Sequence, residues 1–167
     1  DYPQDLQNPS LAEQLLIDQH RIATPIQTET TLSDLDGTVL SKNTLRTNYK
    51  DFGNNLILPE NIQTSKGLNS LEPRIRIIYY DYDDYGNPLE VSKADGTHIV
   101  YIWGYNHSQP IAKIENATYA QVLSHVPNLQ TKSNNDTHRS VDTINEDGVK
   151  IYANDSEGNL REALDGL

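Results

Sequence analysis

The 167-residue sequence contains no cysteine and no methionine, and it has only one tryptophan and one phenylalanine. Without cysteine there is neither a disulfide framework nor a thiolate metal site, and the redox compartment is left open, because exported β-repeat proteins often do without cysteine too. No run approaches the roughly 20 apolar residues that a membrane-spanning helix needs. Positive charge is scarce: 13 Lys and Arg stand against 24 Asp and Glu, giving a net charge of −11. Nucleic-acid backbones and anionic membrane surfaces both require clustered cations, so neither is expected as a partner. The acidic balance reads as a solubility device. Large aliphatic and aromatic residues are thin as well, with only 35% of the chain hydrophobic. Ten tyrosines partly replace them, and tyrosine suits a sheet face where one end of the ring stays wet. These features predict a thin-walled β structure, or a fragment that needs neighbours, rather than a compact globule.

What is present is organised around residues 74–119. A tyrosine-rich apolar run ends in Asp83-Asp84-Tyr85-Gly86-Asn87, a short segment reaches Ala94-Asp95-Gly96, and a longer apolar run follows through Trp103 and Tyr105. Asp95-Gly96 predicts a two-residue type I′ hairpin turn, which needs positive φ at both central positions. Gly86-Asn87 offers the same freedom one turn earlier. Val, Ile, Tyr and Trp dominate between the turns, as a pleated, part-buried surface favours. The order is strand, turn, strand, turn, strand: an antiparallel β-meander.

Pieces of this stretch recur. Tyr49-Lys-Asp-Phe-Gly53-Asn54-Asn-Leu56 aligns without a gap on Tyr82-Asp83-Asp-Tyr-Gly86-Asn87-Pro-Leu89, and Leu32-Ser-Asp-Leu-Asp36-Gly37-Thr-Val-Leu40 aligns on Val91-Ser-Lys-Ala-Asp95-Gly96-Thr-His-Ile99. A worn third copy is Asn154-Asp-Ser-Glu-Gly-Asn-Leu160, and Glu146-Asp147-Gly148 is a further turn of this kind. Self-similarity of this sort marks a repeat architecture, in which each unit buries its face against its neighbours.

With its following Asp95-Gly96 and Tyr101–Tyr105, the pattern Tyr82-Asp83-x-x-Gly86-Asn87-x-Leu89 resembles the YD repeat of Rhs/YD-repeat proteins. The run from Gly86 through Ile-Val-Tyr-Ile-Trp-Gly-Tyr-Asn to Tyr119 is similar to long secreted and surface YD-repeat proteins of Bacteroidetes-type bacteria. Similarity extends over about residues 11–140 and includes His20-Arg-Ile-Ala-Thr-Pro-Ile and Ile62-Gln-Thr-Ser-Lys-Gly. Tyr105-Asn106 and Tyr49-Lys50 depart from the repeat's usual Tyr-Asp. The resemblance implies a segment of a β-sheet shell that carries or encloses an effector such as a polymorphic toxin. It implies flanking repeats of the same polypeptide as first partners, and export to the cell surface or medium. For such bacteria a type 9 secretion route is implied, with its translocon or surface-complex proteins as further partners. The chain accordingly reads as a piece of a longer polypeptide.

Taken in order, residues 1–24 are expected to hold an extension and a helix at about 11–20. Ser10-Leu-Ala-Glu13 forms its capping box, and Leu11, Leu15, Leu16 and Ile22 share its apolar face. Residues 25–115 form the meander, with strands at 25–31 and 38–49. One or two short strands interrupted by Pro59 follow, then a loop over 65–73, the central strands, and a last short strand at 111–114. A short helix spans 116–127, capped by Thr118-x-x-Gln121 and carrying Tyr119, Val122, Leu123 and Val126. Residues 128–147 read as a polar loop. Residues 148–167 hold the worn repeat and a C-terminal helix capped by Asn159.

The expected function is structural, with no catalytic residue, metal or cofactor. Tyr101, Trp103 and Tyr105, alternating onto one face, form a second candidate: an aromatic platform for glycan or a partner protein. The residues Tyr49, Gly53, Asn54, Tyr82, Asp83, Gly86, Asn87, Asp36, Gly37, Asp95 and Gly96 are assigned to the repeat and its turns. Asp34-Leu-Asp36-Gly37-Thr38-Val39 resembles the first motif of haloacid-dehalogenase-type phosphatases. That chemistry needs the first Asp at the end of a buried parallel strand opening into a helix. The polar, alternating residues before it and the matching Ala94-Asp-Gly-Thr favour a plain turn. Asp81, Asp83 and Asp84 lack a calcium-loop spacing. His20, His98, His107, His125 and His138 lack metal-ligand spacing.

Overall fold

The computed structural model describes residues 1–68, 74–135, 141–144 and 150–152. The protein is mainly β, an antiparallel meander with a few short helices. A 3₁₀ turn, Pro3–Asp5, precedes α1 (Leu11–Asp18). Seven strands then follow: β1 (Gln27–Ser33), β2 (Val39–Asp51), β3 (Ile57–Lys66), β4 (Arg74–Tyr82), β5 (Pro88–Lys93), β6 (His98–Gly104) and β7 (Gln109–Glu115). They hydrogen-bond in sequence order in one sheet. Helices α2 (Tyr119–His125) and α3 (Leu129–Asn134) come next, and β8 (Val141–Ile144) pairs antiparallel with β9 (Lys150–Tyr152). The worn third repeat, the Glu146-Asp147-Gly148 turn and the C-terminal helix lie outside the described residues.

The chain packs as two units, the first built from residues 1–86 with 91–96, the second from 87–90 with 97 onward. In the first, α1 starts at a complete capping box: the Glu13 carboxylate accepts the Ser10 N–H at 2.7 Å and Ser10 Oγ accepts the Glu13 N–H at 3.3 Å. The helix buries only part of the predicted face, Leu16 fully and Leu15 in part. Leu11 is 80% exposed and Ile22 49%, whereas Ala12, Glu13 and Leu16 are buried. The buried Glu13 carboxylate is met by the guanidinium of Arg46 on β2, at 3.0 Å from Glu13 Oε1. Ala12 and Leu16 pack with Ile26 and Ile57, flanked by Leu6, Leu15 and Tyr49.

Pro59 does not interrupt its strand, contrary to expectation. It lies opposite Tyr49 at a bulge where Glu60 is the extra residue, a kind of place where a strand tolerates proline. Pro110 repeats the device opposite Trp103, with Ile111 as the extra residue, and β7 therefore begins earlier than expected. The predicted loop over 65–73 is also partly strand, because β3 continues through Lys66.

The second unit has its own core. Val100 and Ile102 of β6 pack with Val122, Val126 and Leu129, supported by Ile111, Ala112, Ile114, Ala117 and Tyr119. Thr118 caps α2 as predicted, with Gln121 completing the box. Leu123, predicted for the buried stripe, is 38% exposed, and Leu129 takes its place. The predicted polar loop at 128–147 is thus partly regular. Leu129 and Ser133, one helical turn apart, are both buried, and Val141–Ile144 is strand. Gly104 allows the close approach of α3 to β6, since a Cβ there would overlap Ser133 Oγ and Ile111.

Candidate functional site

The repeated turns share one backbone form. Gly37, Gly86 and Gly96 each take positive φ and donate their N–H to the carbonyl three residues back, on Asp34, Asp83 and Lys93. Neither Asp36 nor Asp95 has positive φ. The predicted type I′ turn at Asp95-Gly96 is therefore corrected to a three-residue loop, a type I turn closed by a left-handed glycine. Asn87 likewise leaves its predicted freedom unused. Gly53-Asn54-Asn55 differs, with positive φ at all three residues. Its aligned partner, Gly86-Asn87-Pro88, cannot follow, because the proline ring fixes a negative φ.

The aligned tyrosines act alike. Tyr49 donates its hydroxyl to the Pro25 carbonyl at 3.3 Å, and Tyr82 donates to the Pro59 carbonyl at 2.9 Å. Burial pushes both phenols up. For Tyr82 the neighbouring Tyr79 and Tyr49 add to that rise, while Arg21 partly offsets it at Tyr49. Tyr82 also meets Phe52 edge-on at 4.8 Å and stacks on Tyr79 at 5.6 Å. Each repeat thereby closes on a carbonyl 24 or 23 residues earlier.

The aromatic platform is assembled only in part. Tyr101 and Trp103 lie two apart on β6, each half-buried. Trp103 uses its indole N–H on the Pro88 carbonyl at 2.9 Å. Tyr105 does not continue the row: β6 ends at Gly104, and Tyr105, Asn106 and His107 all take positive φ. Two bonds from α3 hold that bend, Ser133 Oγ accepting the Tyr105 N–H at 3.1 Å and Asn134 Oδ1 the Asn106 N–H at 2.7 Å.

Asp34 and Asp36 sit at the exposed tip of the β1–β2 hairpin. Asp34 Oδ1 accepts the Asp36 and Thr38 amides, and Asp36 Oδ1 accepts the Thr38 amide and hydroxyl. The side-chain hydrogen bond with Asp34, then those from Thr38, hold the Asp36 carboxyl down to about 2. Both carboxylates thus serve their own turn, between antiparallel strands. Asp81 and Asp83 likewise accept the Tyr82 and Tyr85 amides. Among the described residues no three His, Asp or Glu side chains group as metal ligands. His98 pairs with Glu90 at 2.6 Å, His107 meets Gln130 at 3.2 Å, and His125 meets the Gln121 carbonyl at 2.9 Å. His20 takes positive φ after α1, and His138 lies outside the described residues.

One feature escaped the sequence reading. A trough of about 320 Å³ runs across β1–β4 and includes Thr28, Thr30, Asn43, Leu45, Thr64, Lys66 and Arg76. Its signal was the alternation of hydroxyl residues in Gln27-Thr-Glu-Thr-Thr. Register decides the rest, placing Leu45 opposite both Thr28 and Thr64, and Asn43 opposite both Thr30 and Lys66. No protein-family model and no curated protein matches the chain.

Proposed function

We propose that this chain is a structural, interaction-bearing segment of a large exported YD-repeat protein of the Rhs kind. It forms one section of a β-sheet wall that carries or encloses an effector. The observation that carries this reading is the equivalence of the aligned segments: Tyr49 and Tyr82 each close on a proline carbonyl, each five-residue spacing ends on a positive-φ glycine, and the Asp-Gly turns at 36–37 and 95–96 share one form. A thin core supports it, as does the edge strand β1, exposed along its length beyond Gln27. An open edge of this kind accepts a neighbouring strand. Flanking repeats of the same polypeptide would be the first occupants, with translocon or surface-complex proteins of a type 9 route meeting the wall during export to the cell surface or medium.

The test is the association state of residues 1–167, followed by sedimentation and size-exclusion chromatography over a hundredfold range of concentration, beside unfolding by circular dichroism. A wall segment associates through its open edges and does so less after Thr31→Pro in β1. A strict monomer with one sharp unfolding transition at every concentration overturns the reading in favour of an autonomous binding module.

A further inference from the structure

We propose that the β1–β4 trough is a binding site for an acidic sugar, a ring that presents both hydroxyls and a carboxylate. Its volume, about 320 Å³, is at the lower end of small-ligand sites. The chemistry of its walls is specific. Thr28, Thr30 and Thr64 supply hydroxyls and Asn43 an amide, groups that both donate and accept, while Leu45 provides an apolar patch between them. Carbon makes up most of the exposed lining, with the hydroxyls set among it, and a sugar ring likewise presents C–H faces beside hydroxyls.

The charge adds the second requirement. Lys66 and Arg76 both line the trough, and no carboxylate does, in a chain whose net charge is −11. The nearest acid on β1, Glu29, alternates to the opposite face, where it pairs with Lys42 at 2.9 Å. Arg46, also on β2, is engaged by Glu13 of α1. These two β2 cations are therefore neutralised within the fold, whereas Lys66 and Arg76 have no ion pair among the described residues. Arg76 is also oriented: its Nε–H donates to Thr64 Oγ1 at 2.7 Å. That bond restrains the guanidinium and leaves the two terminal nitrogens, which carry no protein hydrogen bond among the described residues, as a fork for a planar carboxylate. Thr64 thus positions the arginine while facing the ligand itself.

The site is contained within β1–β4 and does not depend on the repeat reading; a chain that proved strictly monomeric would retain it. The experiment is surface plasmon resonance with the full chain immobilised, at constant ionic strength. The probes are a galacturonic acid trisaccharide, a neutral galactose trisaccharide and sodium sulfate. Binding of the acidic trisaccharide is expected, with affinity reduced about tenfold by Arg76→Gln and less by Lys66→Gln. Both replaced side chains are exposed, and circular dichroism confirms that each variant keeps its strand content. Loss of binding in Thr30→Val assigns the hydroxyl wall. Equal affinity for the neutral trisaccharide overturns the acidic assignment. Sulfate competing as strongly as the trisaccharide reduces the site to an inorganic-anion site and overturns the sugar. Acid-sugar binding unchanged in both cation variants overturns the location.

Discussion

Tyr82 donates its hydroxyl to the carbonyl oxygen of Pro59 at 2.9 Å, on the proline that stands opposite Tyr49 at the β2–β3 bulge. Tyr49 stands in the same relation to Pro25 at 3.3 Å. The bonds are shared but unequal in length. Tyr82→Phe removes one net hydrogen bond and leaves a part-buried carbonyl unpaired, a loss of about 1–2 kcal/mol. Tyr49→Phe, with the longer bond, costs less. Urea unfolding of both variants checks the order, and equal costs would mean that the proline contacts do not set it.

The same two phenols make alkaline pH destabilising. Their folded-state pKa values are raised, first by burial. The neutral phenol is therefore favoured in the folded chain, and this stability is fully present below the unfolded value of about 10. It drains away as pH rises toward the folded values. A urea midpoint falling above pH 10 in the native chain, and falling less in Tyr82→Phe, is the expected result.

At the left-handed turn ends, Gly37→Ala and Gly96→Ala meet no neighbouring atom, yet each forces a Cβ into φ near +89° or +83°. Strain of about 1–2 kcal/mol follows without any steric clash. Asn in the same position restores part of it, because its side chain tolerates that region. Comparing Ala with Asn by thermal unfolding separates backbone strain from lost packing, which would penalise Asn more.

The parts of the fold that were legible in the sequence are those set by nearby residues. Ser10 with Glu13 and Thr118 with Gln121 span one helical turn, so both capping boxes could be read directly. The turn glycines were legible for the same reason. Long-range partners hid the rest. Glu13 is buried against Arg46, 33 residues away, and Leu16 against Ile26 and Ile57. The bulge that admits Pro59 belongs to its pairing with β2, not to its own strand. Leu129 and Ser133 were hidden among polar neighbours, and their partners are distant in sequence, Val100 and Ile102 for Leu129 and Gly104 for Ser133. The trough exists only once two strand registers bring Thr28, Leu45 and Thr64 into one row. Tyr101 and Trp103 kept their alternation, whereas Tyr105 lost it to a bend held by α3.

At the β1–β2 tip, the Asp36 carboxyl is held down to about 2 by its hydrogen bonds with Asp34 and then Thr38. A depressed folded value contributes order that is present above the ordinary 3.8 and lost as pH falls through about 2. Backbone amide shifts of Thr38 followed by NMR from pH 5 to 1.5 are expected to report a midpoint below 3. Asp36→Asn removes that titration. A midpoint near 4 would mean that the tip does not hold its hydrogen bonds in solution.

Glu90 ties the second unit together, and its replacement gives the most local prediction. One carboxylate oxygen meets His98 Nδ1 at 2.6 Å, and the other accepts the Tyr119 N–H at 2.8 Å, at the first residue of α2. The Glu90 side chain is 12% exposed, so both contacts are largely shielded from water. Glu90→Ala removes an acceptor at the start of α2 and one partner of His98, a loss of about 2–3 kcal/mol after allowance for the 31% exposure of His98. Glu90→Gln keeps an acceptor for the Tyr119 amide but not the charge, and should recover about half of it. Hydrogen exchange locates the effect: the amides of Tyr119 and Val122 lose protection in Glu90→Ala, while those of Leu15 and Leu16 in α1 do not. Uniform loss across both helices would instead make Glu90 a determinant of global stability, and α2 would not depend on it for docking.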